Sequence, residues 1–261
     1  MLEPDGSSYV QSLARGLAVI RAFGAATPRL TLSEVARATE LTRASARRFL
    51  LTLESEGYVR VRDGVFELTP RVLELGFSYL SAQSLPEVAQ PHLEALSREV
   101  GESTSASVLD GSVPGAYDIV YIARVPTRRI MSVAITIGTR FPAYATSMGR
   151  VLLAALPPAE RDTFLAGFIG QAFTSRTVTT PAALRAELER VAARGWSLVD
   201  GELENGLRAL AVPITRAGSV VAAINVSMPA SDEPAGDQAL RLLPAMQSAA
   251  EAISRDLELV R

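Results

Sequence analysis

TLSEVARATELTRASARRFLLTLESEGYVRVRDGVFEL, residues 31–68, decides how this chain folds and what it meets. Thr31 with Glu34 three residues on is a capping-box pair, so a helix is predicted from Leu32 to about Thr39. Glu40–Leu41 makes a short turn, and Thr42 caps a second helix that runs through Ser55. Gly57 supplies the left-handed residue on which helices commonly end. On the second helix Ala46, Leu50 and Leu53 recur at helical spacing and are predicted to pack inward. Arg43, Ser45, Arg47 and Arg48 crowd its first two turns, mostly on the other side.

A helix–turn–helix sets the N-terminal half of its second helix in the DNA major groove. There Arg bonds guanine edges or phosphates, and Ser bonds base or backbone. After Tyr58 the run Val59-Arg60-Val61-Arg62 alternates apolar and basic, Asp63-Gly64 is a strong two-residue hairpin turn, and Val65–Leu68 returns. A basic hairpin directly after a helix–turn–helix reads as a wing lying on the phosphate backbone. The predicted DNA-contacting set is Thr31, Ser33, Thr42, Arg43, Ser45, Arg47 and Arg48, with Arg60 and Arg62 on the wing. The blander reading is an Arg-rich solvated helix beside a chance hairpin; the order of the parts favours DNA.

Working outward, the charge distribution agrees. The net charge is −2, yet Arg29–Arg62 holds seven Arg against four Glu, a local +3, whereas Leu85 onward holds sixteen Arg against nineteen acids, or −3. A basic patch that coincides with the motif is a nucleic-acid footprint. The chain has no cysteine, so disulfides, thiolate catalysis and Cys metal sites are excluded. It has no lysine either, which excludes a Walker A loop and Schiff-base chemistry. The single histidine, His92, sits in a helical segment and supports neither a Ser/His/Asp set nor a multi-His metal site. Glu202/Glu204 are not placed in any cleft, and Glu187/Glu189 read as a solvated helix face. The expectation is therefore a non-enzyme without cofactor or metal. No run approaches the ~18 apolar residues of a membrane span, and MLEPDGSSYV lacks the basic and apolar regions of a signal peptide, so a cytoplasmic protein with no membrane partner is expected.

The remaining segments complete a two-domain plan. Ser12–Phe23, with Leu13, Leu17 and Ile20 spaced at i, i+4, i+7, is predicted to pack behind the helix–turn–helix. Residues 1–70 form an all-α winged helix–turn–helix domain, and 71–84 a linker helix with Val72, Leu75, Tyr79 and Leu80 along one face. Residues 85–261 turn to mixed α+β. Helices are predicted at Pro86–Val100, Ala145–Leu156, Pro158–Leu165, Pro181–Arg194 and Gly236–Val260, the last with a kink at Pro244. Strands are predicted at Ser103–Leu109, Asp118–Val125, Ile130–Ile137, Trp196–Val199, Leu207–Ile214 and Val220–Met228. This is an antiparallel sheet with helices on its faces.

Val220–Met228 is apolar except for Asn225 and Ser227, which strand alternation puts on one face with Ala223. Buried polar side chains need hydrogen-bond partners. Thr146-Ser147-Met148-Gly149 opens a helix, whose first N–H groups suit an anion. Facing one another, the two stretches would hold a small carboxylic acid; the alternatives are local backbone bonding at the strand and simple capping at the helix. Arg150 is the only basic residue in either stretch, so the pocket reads as weakly cationic, its ligand held by neutral hydrogen bonds.

SLARGLAVIRAF, TLSEVARATELTRASARRFLLTLESEGYV, GTRFPAYATSMGRVLLAALP, VDGELENGLRALAVPI and VVAAINVSMP, in this order and spacing, resemble the IclR family of bacterial transcriptional regulators along nearly the whole chain. They are more closely similar to its PcaR/PcaU/PobR branch, which responds to aromatic acids and β-ketoadipate-pathway intermediates. The resemblance implies a GAF-like C-terminal effector domain, double-stranded operator DNA as partner, and dimers or dimers of dimers held through the DNA-binding half. It also implies an effector pocket at Met131, Ser147, Met148, Asp200, Ala209, Asn225 and Ser227. Ala209 departs from many relatives, which carry Cys or Ser there, so this position offers no polar group. Three rivals stand beside an aromatic-acid regulator: one gated by glyoxylate, pyruvate or an amino acid, an enzyme with an accessory winged helix, and a winged helix used only for protein contacts.

Overall fold

The computed structural model describes residues 9–24, 27–75, 85–113, 115–127 and 135–260. The chain divides into two compact units at Gln83/Ser84. In the first, helix α1 (Gln11–Arg21) is followed by strand β1 (Arg29–Thr31), α2 (Leu32–Ala38), α3 (Arg43–Ser55), β2 (Val59–Arg62) and β3 (Val65–Leu68). Local chemistry sets these boundaries. The Thr31 hydroxyl accepts from the Glu34 N–H while the Glu34 carboxylate accepts from the Thr31 N–H, a complete capping box. The Thr42 hydroxyl accepts from the Ser45 N–H and starts α3. Asp63 and Gly64 both take positive φ, 52° and 75°, the geometry that joins two strands without splaying them.

The short β1 was not legible as a strand. It adds to the hairpin in the order β1-β3-β2, so the wing is three-stranded. Val19, Leu30, Val35, Ala46, Leu50, Val59 and Phe66 form the core of this unit. The inward face predicted for α1 needs correction. Val19 is its buried residue, whereas Leu13 and Leu17 are exposed. The helix carries two apolar strips, and the one that meets α3 runs through Val19 and Gly16, beside Phe49. Beyond Val65–Leu68 a 3₁₀ turn at Pro70–Val72 runs into helical residues 73–75. The rest of the predicted linker helix, with Tyr79 and Leu80, lies outside the described residues.

The second unit is built on a six-stranded antiparallel sheet. Its strands are β4 (Ser103–Asp110), β5 (Asp118–Val125), β6 (Arg140–Pro142), β7 (Ser197–Asp200), β8 (Leu207–Arg216) and β9 (Ser219–Pro229), in the spatial order β6-β5-β4-β9-β8-β7. Helices α4 (Leu85–Val100) and α8 (Ala235–Leu259) share one core with Leu210, Val212, Ile224 and Val226 of the sheet. Helices α5 (Ser147–Ala154), α6 (Pro158–Ala166) and α7 (Pro181–Arg194) share another with Ile119, Tyr121, Ala211 and Ala223. Strand alternation divides β9 between these layers: Ala222, Ile224, Val226 and Met228 face α4 and α8, and Ala223, Asn225 and Ser227 face α5. α8 continues through Pro244, which removes one helical N–H without ending the helix.

The strand predicted at Ile130–Ile137 falls largely outside the described residues. From 135 to 139 the chain is a turn in which Gly138 takes φ 86° and Thr139 Oγ1 accepts from the Thr136 N–H. The edge strand on that side is instead β6, three residues paired with β5 through Asp118–Val120.

Candidate functional site

The described residues place two sites in the molecule, one in each unit. In the first unit Arg43, Arg47 and Arg48 all lie exposed on α3, and Ser45 is half-buried beside them. None of the three arginines has an ion-pair partner among the described residues. Thr31 and Thr42 are committed as caps of α2 and α3, and Ser33 is exposed on the first turn of α2.

The wing is not uniform. Arg60 Nε donates to Glu67 Oε1 at 2.6 Å and Arg29 Nε to Glu67 Oε2 at 3.1 Å. These hydrogen bonds, Arg60 foremost, hold the Glu67 carboxyl below the usual carboxylate range. Arg62, next to the turn, is exposed and unpaired among the described residues. The two wing arginines read alike in the sequence; the register pairing Arg60 with Glu67 separates them.

In the second unit a narrow cavity opens on the face of the sheet that α5 covers. Tyr121, Ile135, Ala145, Thr146, Ser147, Val199, Leu203, Leu207, Ala209, Asn225 and Ser227 line it. Topology thus gathers Ser147, Ala209, Asn225 and Ser227 from three elements. β8 and β9 pair with Ala209 opposite Ser227, and the start of α5 lies over them. Asn225 Nδ2 donates to Ser227 Oγ at 3.0 Å, but Asn225 Oδ1 has no partner among the described residues. Among the same residues Ser147 Oγ has none either. Both residues are almost wholly buried, at 3% and 1% exposure. Leaving such groups unpaired costs about 1–3 kcal/mol each. Burial also pushes the Tyr121 phenol up to about 12, so it is a neutral hydroxyl facing the same space.

Met148 and Asp200, also expected in the pocket, do not join them. Met148 points into the apolar core, where its sulfur accepts from Ser107 Oγ at 3.3 Å, because it follows Ser147 on a short helix and so turns to a different side. Asp200 is taken up by arginines: Arg176 Nη1 at 2.7 Å and Arg208 Nε at 3.0 Å donate to its two oxygens. Met131 lies outside the described residues.

A buried ion pair braces the cavity, and the sequence reading missed it. Arg150 on α5, 1% exposed, donates from Nη1 and Nη2 to the two oxygens of Glu202 at 2.7 and 2.5 Å, and from Nε to Tyr144 O at 2.8 Å. Glu202 also accepts from the Val178 N–H, and its own carbonyl accepts from Thr177 Oγ1. The loop at 201–206, which brings Leu203 to the cavity, is thereby tied to α5. Glu187 is not the solvated residue its helix pattern suggested. It is buried among Arg150, Arg190 and Arg194, while Glu189 is exposed. No group of three or more His, Asp or Glu side chains that could hold a metal occurs among the described residues. No helix among them is long and apolar enough to cross a membrane.

Two family models match the chain, one over each unit. The IclR helix-turn-helix domain covers residues 12–63, and the bacterial transcriptional regulator IclR C-terminal domain covers residues 77–255. The chain belongs to the IclR family. Among IclR-family relatives it is 43% identical to the Pca regulon regulatory protein of Pseudomonas putida, over 98% of this chain and 84% of that one. It is 36% identical to the p-hydroxybenzoate hydroxylase transcriptional activator of Acinetobacter baylyi, over 83% of this chain and 80% of that one. An IclR homologue from Microbacterium hydrocarbonoxydans, solved in complex with 4-hydroxybenzoate, matches with a TM-score of 0.84 at 28% identity, covering 95% of this chain and all of the other. The protein is a transcriptional regulator of this family, not an enzyme.

Proposed function

We propose that this regulator binds operator DNA as a dimer through α3 and the wing tip and that a small aromatic carboxylate, held in the α5 cavity, controls that binding. The observation that carries the effector reading is the pair of buried polar atoms unpartnered among the described residues, Ser147 Oγ and Asn225 Oδ1, in one largely apolar cavity. A ligand with an apolar body and polar ends satisfies both; a purely apolar one satisfies neither. Tyr121, Leu203 and Leu207 offer the ring its apolar contact. Ile135 and Leu203 come from loops, so the cavity can widen without breaking the sheet. The relatives named above support the choice of an aromatic acid. Leu13 and Leu17, exposed side by side on α1, give a second copy an apolar strip to cover.

Calorimetry with 4-hydroxybenzoate, protocatechuate, catechol, muconate and β-ketoadipate tests the effector reading, paired with gel shifts on the native operator. At least one aromatic acid is expected to bind and to change operator affinity. Asn225→Leu, which cannot answer a polar ligand group, is expected to weaken that acid about tenfold. Binding only by catechol or by non-aromatic compounds would overturn the reading.

The DNA face makes a separate prediction. Counterion release ties the salt slope of affinity to the number of phosphates neutralised. Arg62→Ala is expected to flatten that slope by about one unit for every phosphate the complex no longer neutralises. Arg60→Ala flattens it less, because Arg60 is already paired with Glu67. Arg47→Ala instead relaxes preference at one half-site position, costing about 1–3 kcal/mol for a bidentate base contact. Equal slopes for the two wing variants would show that Glu67 releases Arg60 to the DNA.

A further inference from the structure

We infer that Arg124, two strands away from Asn225, is the counter-charge for the effector's carboxylate. The inference deepens the carboxylate reading given above and rests on it. Three observations carry it. The first is placement. On the antiparallel sheet, residues directly opposite one another share a face. Ser105 of β4 is opposite Arg124 of β5 on one side and opposite Asn225 of β9 on the other. Arg124, Ser105 and Asn225 thus form one row across three strands, each step about 5 Å between Cβ atoms. Ser107, two residues on from Ser105, reaches Met148 of α5, so this is the face on which the cavity lies.

The second observation is direction. Arg124 Nη1 donates to Ser105 Oγ at 3.2 Å, so the guanidinium is drawn across β4 toward Asn225 rather than outward. Tyr121, three residues earlier on the same strand and opposite Ser107, lines the cavity on the same face.

The third is charge. Of the other arginines of this domain, Arg140 faces Asp110 and Asp118, Arg150 faces Glu202, Arg208 faces Asp200 and Arg241 faces Glu233, whereas the half-buried Arg161 and Arg216, which lie away from the cavity lining, donate to backbone carbonyls. Arg124 is half-buried and, among the described residues, faces no carboxylate: it donates to a serine hydroxyl and interacts with the phenol of Tyr121. Burial holds the guanidinium below its usual range, although it stays fully charged at neutral pH. A half-buried cation without an anion is unfavourable alone and favourable once a carboxylate arrives.

Asn225 fits that arrival. Turned by half a revolution, its amide accepts from Ser227 Oγ–H and presents Nδ2–H to an anion beside the guanidinium. The carboxylate then lies over the Asn225 end, and the opposite pole of the ligand meets Ser147. The two stretches that mark the pocket in the sequence carry no cation except Arg150. The cation arrives from a third strand.

The test pairs a change in the protein with the same change in the ligand. Binding of 4-hydroxybenzoate and of its neutral isostere 4-hydroxybenzamide is measured by calorimetry on wild type, Arg124→Gln and Arg124→Lys. Benzoate, pyruvate and adipate complete the panel, and each titration is run at low and high salt. The acid is expected to lose about tenfold or more in Arg124→Gln and less in Arg124→Lys, while the amide stays within about twofold throughout. Wild type should favour acid over amide, and its acid affinity should fall with salt.

An amide that binds wild type as tightly as the acid overturns the inference without any variant. So does an Arg124→Gln protein that binds the acid as wild type does, or one that loses acid and amide equally. Arg124-dependent binding of pyruvate or adipate alone would sustain the role of Arg124 and remove the aromatic reading. A wild type that binds no carboxylate in the panel would remove both.

Discussion

Glu202→Ala is expected to destabilise the effector domain by about 3–5 kcal/mol, because it strands the buried Arg150 charge without its bidentate partner. Arg150 is 1% exposed and, among the described residues, keeps only the Tyr144 carbonyl and a 4.0 Å approach to Glu187. Glu187 is already shared by Arg190 and Arg194, so it cannot replace the lost carboxylate. The same change frees the Val178 N–H and loosens the loop carrying Leu203. Urea denaturation followed by circular dichroism reads the first effect, and effector titration reads the second. Replacing both partners, as Arg150→Met with Glu202→Leu, is expected to recover a large part of the stability, since the penalty lies in an unpaired charge rather than in the absence of a salt bridge. A loss below about 1 kcal/mol in the single variant would mean that water reaches Arg150 and that the brace is unimportant.

Gly149→Ala is the second large effect. A Cβ at this position would lie 2.1 Å from the Ala143 carbonyl oxygen and 2.4 Å from its Cα, with backbone on both counts and nothing flexible to yield. The glycine is what lets the 3₁₀ turn Ala143–Ala145 press against the first turn of α5. Relief requires the turn and the helix to part, which costs about 3 kcal/mol or more by the scale of overpacked cores. Ala145, Thr146 and Ser147 all line the cavity, so the displacement falls on the effector site itself. The expected result is a lowered melting temperature together with lost effector response, while operator binding, which belongs to the other unit, survives. Gly218→Ala serves as a control, because no atom lies within 4 Å of its Cβ position and only its positive φ of 75° is strained. Wild-type stability in the Gly149→Ala protein would show that the close approach of turn and helix is not obligatory.

The DNA-binding half was almost wholly legible in the sequence. Thr31/Glu34, Thr42, Gly57 and Asp63-Gly64 act over three or four residues, and each fixes its boundary by a local hydrogen bond or a left-handed backbone. Strand β1 escaped because three residues carry no usable periodicity, and it exists only through its pairing with β3. The exposed Leu13 and Leu17 escaped for a related reason: a helix with two apolar strips does not say which one its neighbour will cover.

In the effector domain, alternation along β9 was enough to single out Asn225 and Ser227, and the Thr146–Gly149 run was enough to start α5. By itself, then, the sequence determined the family, most of the helices and strands, the caps and the polar pair on an apolar strand, because all of these are written in short-range spacing. Tertiary structure alone decided which charges face which. Arg150 finds Glu202 fifty-two residues away, Arg60 is neutralised across a hairpin, Asp200 is claimed by Arg176 and Arg208, and Arg124 is brought into line with Asn225 by two strand registers. Spacing encodes hydrogen bonds that close within a turn or two; ion pairs are closed by the packing of distant segments, and burial then makes the choice of partner matter.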